Sequence, residues 1–139
     1  MNRATILLVQ ASLLGACGGG APAAAHPEPG AECVAVDTSV PLAVSRIEGD
    51  GVVVHTLIAP DSSAAVTSHV VETEGHLVVF DTQLFRGYAR QLREYVDGLG
   101  KPIDRVVITH GHPDHYLGLE FFEDAPSWAF EETRVDIQQ

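Results

Sequence analysis

The residues best suited to chemistry are three histidines and one aspartate in the stretch His110-Gly-His112-Pro-Asp114-His115. Imidazole nitrogens and carboxylate oxygens are natural ligands of zinc and similar divalent metals. His110 and His112 are alternate residues, so both side chains can point to one side while the backbone is extended. Asp114 and His115 follow where the chain turns. We therefore predict a metal site formed by these four side chains.

The elements around this motif must hold it rigidly, and their pattern predicts a mixed α/β fold. An apolar run typical of a buried strand precedes the motif, so the sheet would support the ligands that leave its end. β-Branched runs bounded by turn residues predict three antiparallel strands upstream, followed by an amphipathic helix. The predicted strands are residues 52–58, 67–72, 76–80, 105–109 and 128–130, and the predicted helices are residues 84–99 and 117–123.

The N-terminus predicts export. Residues 1–16 form a short basic and then apolar segment typical of a signal peptide. Residues 14–17 resemble a bacterial lipobox, which implies lipidation of Cys17 and a periplasmic or outer-membrane, lipid-anchored location. An ordinary secretory signal, or a Cys17–Cys33 disulfide that excludes the lipid, are the alternatives. Residues 17–33 are rich in Gly, Ala and Pro and predict a flexible tether, which leaves residues 34–139 as the folded domain.

Composition excludes some partners. The 139 residues carry a formal net charge of -11 with a pI near 4.8, which disfavours nucleic acid as a partner. A small-molecule substrate is the expected partner. No run of about 20 apolar residues occurs, so any membrane association is expected through the lipid alone.

The motif resembles the signature H-x-H-x-D-H of the metallo-β-lactamase superfamily. Residues 78–82 are similar to the superfamily's apolar strand that ends in Asp-Thr-Gly, with Gln83 where glycine is usual. Thr109 before the motif and residues 118–119 after it also fit. The resemblance covers roughly residues 50–139 and implies a metallo-β-lactamase αβ/βα sandwich, of which only the N-terminal αβ half is expected here.

The resemblance also implies roles. His110 and His112 would bind a first metal, and Asp114 and His115 a second, with Asp114 counted as catalytic. Asp81 would orient the metal-binding loop from behind. One or two zinc ions are expected, with iron and manganese left open because such ligands do not discriminate strongly between these metals. A metal-bound hydroxide would hydrolyse an ester, thioester, lactone or lactam.

The predicted ligand set is short. A catalytic zinc site uses about three protein ligands and a water, whereas the motif gives two per metal and residues 116–139 contain no histidine. Asp124 and Asp136 are expected at a helix end and in solvent. The remaining histidines in the predicted domain are expected to be structural or exposed; they are His55, His69 and His76.

We therefore expect the N-terminal part of a longer hydrolase, with weak metal binding and little catalysis by these residues alone. A non-catalytic surface lipoprotein that binds metal, or that pairs two halves as a homodimer, is the alternative. Metal-dependent redox chemistry with iron is a third hypothesis. The sequence does not define the substrate.

Overall fold

A six-stranded sheet organises residues 37–139, which are the residues that the computed structural model describes. The predicted signal peptide and tether, with Cys17 and Cys33, lie outside this range. The strands are β1 (Ala43–Gly49), β2 (Val52–Ile58), β3 (Thr67–Glu72), β4 (Leu77–Phe80), β5 (Ile103–Ile108) and β6 (Ser127–Ala129). The helices are α1 (Arg86–Gly98), α2 (Pro113–Tyr116) and α3 (Glu131–Ile137), and 3₁₀ turns span Asp61–Ser63 and Leu117–Phe122.

The strands lie in the sheet in their chain order. β1 to β4 pair antiparallel, as the short turns between them require, whereas β4, β5 and β6 pair in parallel. Parallel neighbours need a crossover connection, and α1 provides the one between β4 and β5. The mixed α/β fold predicted from the sequence is confirmed.

The core lies between α1 and one face of the sheet. Alternate strand residues are buried on this face, and the helix contributes Tyr88, Leu92 and Val96 at a spacing of four, which is one face of an α-helix. Each is at most 1% exposed. The opposite sheet face is only half buried at residues such as Val54, Phe80 and Val107, so the two faces differ in how far their apolar side chains leave water.

Four local features differ from the prediction or were not predicted. β1 was not predicted because all seven of its residues are exposed; its order comes from pairing along β2 and not from a buried stripe. α2 begins inside the motif at Pro113, whose fixed φ suits the first helical position. Residues 117–122 form a 3₁₀ turn and not the α-helix expected there. Helix α3 was also not predicted.

Within residues 37–139, no helix has the length and apolar character needed to span a bilayer.

Candidate metal centre

The motif lies at the edge of the sheet where parallel strands end. Asp81 directly follows β4, and Thr109 directly follows β5. Because β4 and β5 run in the same direction, the two residues leave the sheet at one edge. We call residues 109–115 the metal loop. Its side chains are therefore supported by the two most central parallel strands of the fold.

Asp81 fixes the start of the metal loop. Its Oδ1 accepts a hydrogen bond from the Thr109 amide at 2.9 Å, and its Oδ2 accepts one from the Thr109 hydroxyl at 2.8 Å. The Asp81 side chain is buried, and its backbone is left-handed with φ 59°. Because both carboxylate oxygens bind Thr109, Asp81 holds the first residue of the loop in place.

Thr82 fixes the end of the same loop. Its amide and its hydroxyl both donate to the carbonyl oxygen of His115, at 2.8 and 3.1 Å. Gly118 follows where a side chain has no room, because a Cβ there would lie 2.0 Å from the Thr82 carbonyl oxygen. The sequence pattern pointed to Asp81 but gave Thr82 no role. Its place beside Asp81 was the available signal.

His110 and His112 form a first pair of donors. Both side chains are exposed, and Nε2 of His110 lies 3.1 Å from Nδ1 of His112. Two nitrogens bound to one tetrahedral zinc ion at about 2.0–2.1 Å lie roughly 3.3–3.4 Å apart. The observed spacing suits a hydrogen bond when one nitrogen is protonated and two ligands of one cation when neither is.

Asp114 and His115 form a second pair. Oδ2 of Asp114 lies 3.1 Å from Nε2 of His115. The other ring nitrogen, Nδ1, is buried and lies 2.8 Å from Oδ2 of Asp81, but the two atoms are not aligned for a hydrogen bond. The rings of His110 and His115 are tilted at a centroid distance of 3.8 Å. The two pairs are thus neighbours on one surface.

The donor chemistry and spacing fit a zinc-like cation, two donors at a time. Among residues 37–139, no three histidine, cysteine, aspartate or glutamate side chains are arranged to hold one metal ion. A catalytic zinc site uses about three protein ligands. The described residues therefore supply two partial ligand sets and complete neither.

Asp136 lies beside the metal loop at Gly111, whereas the other candidate residues lie away from the loop or are paired elsewhere. His69 and His76 are exposed, and His55 is buried between Tyr95 and Glu72. Asp124 forms an ion pair with Arg93, whose hydrogen bonds lower the pKa of that carboxyl group. Asp136 is exposed on α3, and its Cβ would lie 2.6 Å from a Cβ added to Gly111.

The comparisons with known proteins match the same part of the chain. The family model described as the metallo-beta-lactamase superfamily matches residues 64–129. Residues 64–129 are thus similar to part of a metallo-beta-lactamase superfamily domain. This stretch includes Asp81, Thr82 and the whole metal loop.

Individual proteins are also similar to this part of the chain. The chain is 41% identical over 63 residues to a ribonuclease Z of Pyrococcus abyssi (strain GE5 / Orsay), a match that covers 45% of this chain and 19% of the relative. The FIM-1 metallo-beta-lactamase of Pseudomonas aeruginosa, solved in a mono-zinc form, shares 25% identity at a TM-score of 0.54 over 73% of this chain and 48% of that one.

A further solved structure has the same fold. The DIM-1 metallo-beta-lactamase exposed to ceftazidime aligns at a TM-score of 0.54 with 19% identity, over 68% of this chain and 45% of that one. The chain spans less than half the length of these solved structures and about a fifth of the ribonuclease. The six-stranded sheet thus corresponds to part of a metallo-beta-lactamase domain.

Proposed function

We propose that this chain carries the metal-loop part of a metal-dependent hydrolase that acts on an ester, thioester, lactone or lactam. One observation carries the proposal: two donor pairs, each with its atoms 3.1 Å apart, stand side by side at the end of parallel strands. The similarity to metallo-beta-lactamases over residues 64–129 supports it. Zinc is the proposed metal, with iron or manganese as alternatives that metal analysis distinguishes.

The roles of the chain's own residues follow from their positions. His110 and His112 would hold one cation, and Asp114 and His115 a second. A bound divalent cation supplies a nucleophile at neutral pH because it lowers the pKa of its water. The Asp114 side chain is 34% exposed, so its carboxylate can meet a cation and also orient a water or accept its proton. Asp81 and Thr82 hold the loop in place.

The charge of the chain bears on the substrate. A net charge of -11 repels polyanions, which argues for a small neutral carbonyl compound. The similarity to a ribonuclease Z makes RNA the substrate to test against this expectation. Export and a lipid anchor at Cys17 also remain proposals, because they concern residues outside the described range.

The test starts with metal binding by the full 139-residue chain. Zinc affinity is measured by calorimetry and cobalt binding by visible absorption, for the wild type, Asp114→Asn and the control Asp50→Asn. Asp50 has φ 50° in the turn after β1, which asparagine tolerates, at the opposite edge of the sheet. We expect Asp114→Asn alone to weaken binding. Equal affinity in all three proteins would contradict the assignment of the loop as the metal site.

Hydrolysis is then assayed with a lactam, a lactone, an ester, a thioester and an RNA, each with and without zinc. Zinc-dependent turnover of one class that disappears in Asp114→Asn would identify the substrate class. Zinc binding without turnover of any of them would favour the alternative, a non-catalytic metal-binding protein. The absence of a three-donor group among residues 37–139 is the observation that keeps this alternative open.

A further inference from the structure

Three consecutive residues after β4 each hold a different part of the sheet edge. Asp81, Thr82 and Gln83 are buried, at 5%, 0% and 0% exposure. Asp81 binds the start of the metal loop and Thr82 binds its end, as described above. Gln83 turns instead toward residues 59–66, the loop that joins β2 to β3, which we call loop 59–66. The segment thus contacts both loops through adjacent side chains.

The Gln83 side chain reaches the last residue of loop 59–66 and the strand β3 that follows it. Its Nε2 donates to the carbonyl oxygen of Val66 at 3.2 Å and lies 3.0 Å from the hydroxyl oxygen of Ser68. Its Oε1 is buried without a hydrogen-bond partner among the described residues. The hydroxyl of Ser63, in loop 59–66, is also buried without a partner among them. The side chain is therefore embedded against the loop and not against solvent.

The backbone of Gln83 is strained, and the contacts of its side chain must compensate for this strain. Its φ is 76°, in the left-handed region that glycine adopts freely and other residues rarely do. A non-glycine residue held there is strained unless its surroundings compensate. A glycine would remove the strain and would also remove both contacts. The contacts to Val66 and Ser68 are what a glutamine adds at this position.

Loop 59–66 is otherwise closed on itself. The Ala59 amide donates to the carbonyl oxygen of Val66 at 2.9 Å, and the Ser63 and Ala65 amides donate to that of Pro60 at 2.8 and 3.2 Å. These bonds set the loop's internal shape but not its position relative to the metal loop. The side-chain amide of Gln83 donates to the Val66 carbonyl oxygen at the base of the loop. It can therefore set the position of loop 59–66 relative to the metal loop.

The loop stands at the edge where the metal loop stands. β2 and β4 are both antiparallel to β3, so they run in the same direction and end at one edge. Loop 59–66 follows the end of β2, and Asp81 follows the end of β4. Only β3 separates the two strands in the sheet.

We propose that Gln83 is a positioning residue that fixes loop 59–66 relative to the metal loop. Its expected effect on a substrate rests on the proposed function, whereas the positioning itself does not. Gln83 acts through the loop and contacts no reacting group.

Amide hydrogen exchange of the full chain tests the positioning. Gln83→Met keeps the length of the side chain and the left-handed strain but removes the donor, and Gln83→Gly removes strain and donor together. In both variants we expect the amides of Ser63 and Ala65 to exchange about tenfold faster, as the loss of one or two hydrogen bonds implies. The Thr109 amide, which Asp81 binds, should keep its wild-type rate.

Two results would overturn the inference. Unchanged loop exchange in Gln83→Met would mean that the contacts to Val66 and Ser68 do not hold the loop. Faster exchange of loop and core amides alike, in step with a lower melting temperature, would mean that Gln83 is only a packing residue. Gln83→Gly guards against the first variant failing to fold, because it relieves the strained backbone.

A kinetic experiment tests whether the loop position that Gln83 sets affects substrate binding. If the wild type hydrolyses a substrate, Gln83→Met should raise its KM by at least about threefold while kcat, its pH profile and zinc affinity stay unchanged. A fall in zinc affinity would contradict the inference. A wild type that binds zinc and hydrolyses no substrate would contradict the proposed function, while the exchange rates would still decide the positioning role.

Discussion

His55 and the histidines of the metal loop differ in the groups that their ring nitrogens contact. His55 lies in β2, under α1, and is 2% exposed. Its Nδ1 lies 2.8 Å from the Tyr95 hydroxyl and its Nε2 lies 2.8 Å from a Glu72 carboxylate oxygen. Burial raises the pKa of the Tyr95 phenol, so the phenol stays protonated at neutral pH. With Glu72 accepting from Nε2, Tyr95 donates to Nδ1, and both nitrogens of His55 are satisfied by protein.

The metal-loop histidines have a different environment. His110 and His112 are exposed, and Nε2 of His110 lies 3.1 Å from Nδ1 of His112. The other ring nitrogen of His110 lies 3.1 Å from the exposed Thr109 hydroxyl. His115 is partly buried but faces two carboxylates, one of them from the motif itself. Such groups offer basic nitrogens and negative oxygens to a cation without any need to break a buried network.

The difference separates a structural histidine from a ligand candidate. A ring whose nitrogens both have buried protein partners would lose hydrogen bonds on binding a metal, whereas a ring at a strand end among other donors gains a ligand bond. Residue type alone does not make this distinction. The position of each ring relative to burial and to neighbouring donors does.

The largest effect is expected from His110→Ala, which removes one member of the first donor pair. We expect zinc affinity at the loop to fall by more than about 100-fold, since even residues that only support metal ligands are worth 10–100-fold. Isothermal titration measures the change. His76→Ala removes an exposed histidine from a turn and should leave affinity unchanged. Equal zinc affinities in His110→Ala and wild type would show that His110 is not a metal ligand.

The sequence was most informative where residue type and order determine structure directly. The helix period over residues 84–99 and the β-branched runs located α1, β2, β3 and β4 to within about two residues. Exposed β1 lacked that signal, because a strand held only by its pairing partner has no buried face to show in its sequence.

The candidate site was partly predictable for the same reason. The motif is contiguous, so its four donors could be named from the sequence alone. The roles of Thr82 and Gln83 depend on contacts to residues 33 positions later and 17 and 15 positions earlier. Such long-range contacts exist only once β4 has paired with both of its neighbours. The pairing of His55 with Tyr95, 40 residues away, was not predictable for the same reason.

His55→Leu tests whether His55 stabilises the fold without binding metal. The substitution leaves the Tyr95 hydroxyl without its partner and removes a hydrogen bond to the Glu72 carboxylate. We expect the free energy of unfolding to fall by about 2–4 kcal/mol and zinc affinity to stay within about twofold, because the ring has no place in the metal loop. Urea unfolding and zinc titration measure the two quantities.

His69→Leu is the matched control, since His69 is exposed on the neighbouring strand and its loss should change stability by less than about 0.5 kcal/mol. If His55→Leu weakened zinc binding as strongly as His110→Ala, the division between structural and ligand histidines would be wrong.

The smallest effect concerns the outer end of the His55 network. The Nζ of Lys101 lies 2.8 Å from Oε1 of Glu72, and hydrogen bonds from Lys101 and then His55 lower the pKa of that carboxyl group from its ordinary value of 4.5. A depressed pKa in the folded state contributes stability above the unfolded pKa, and this contribution is lost as pH falls through the folded value. Lys101 is the larger of the two causes of the lowered Glu72 pKa.

Lys101→Met removes this cause. We therefore expect the variant to be less stable than wild type by under about 1 kcal/mol at pH 7, and we expect the difference to shrink as pH falls below about 4.5. Urea unfolding at a series of pH values between 7 and 3 measures it. A difference that stays constant down to pH 3 would show that Lys101 stabilises the fold through packing and not through the Glu72 carboxylate.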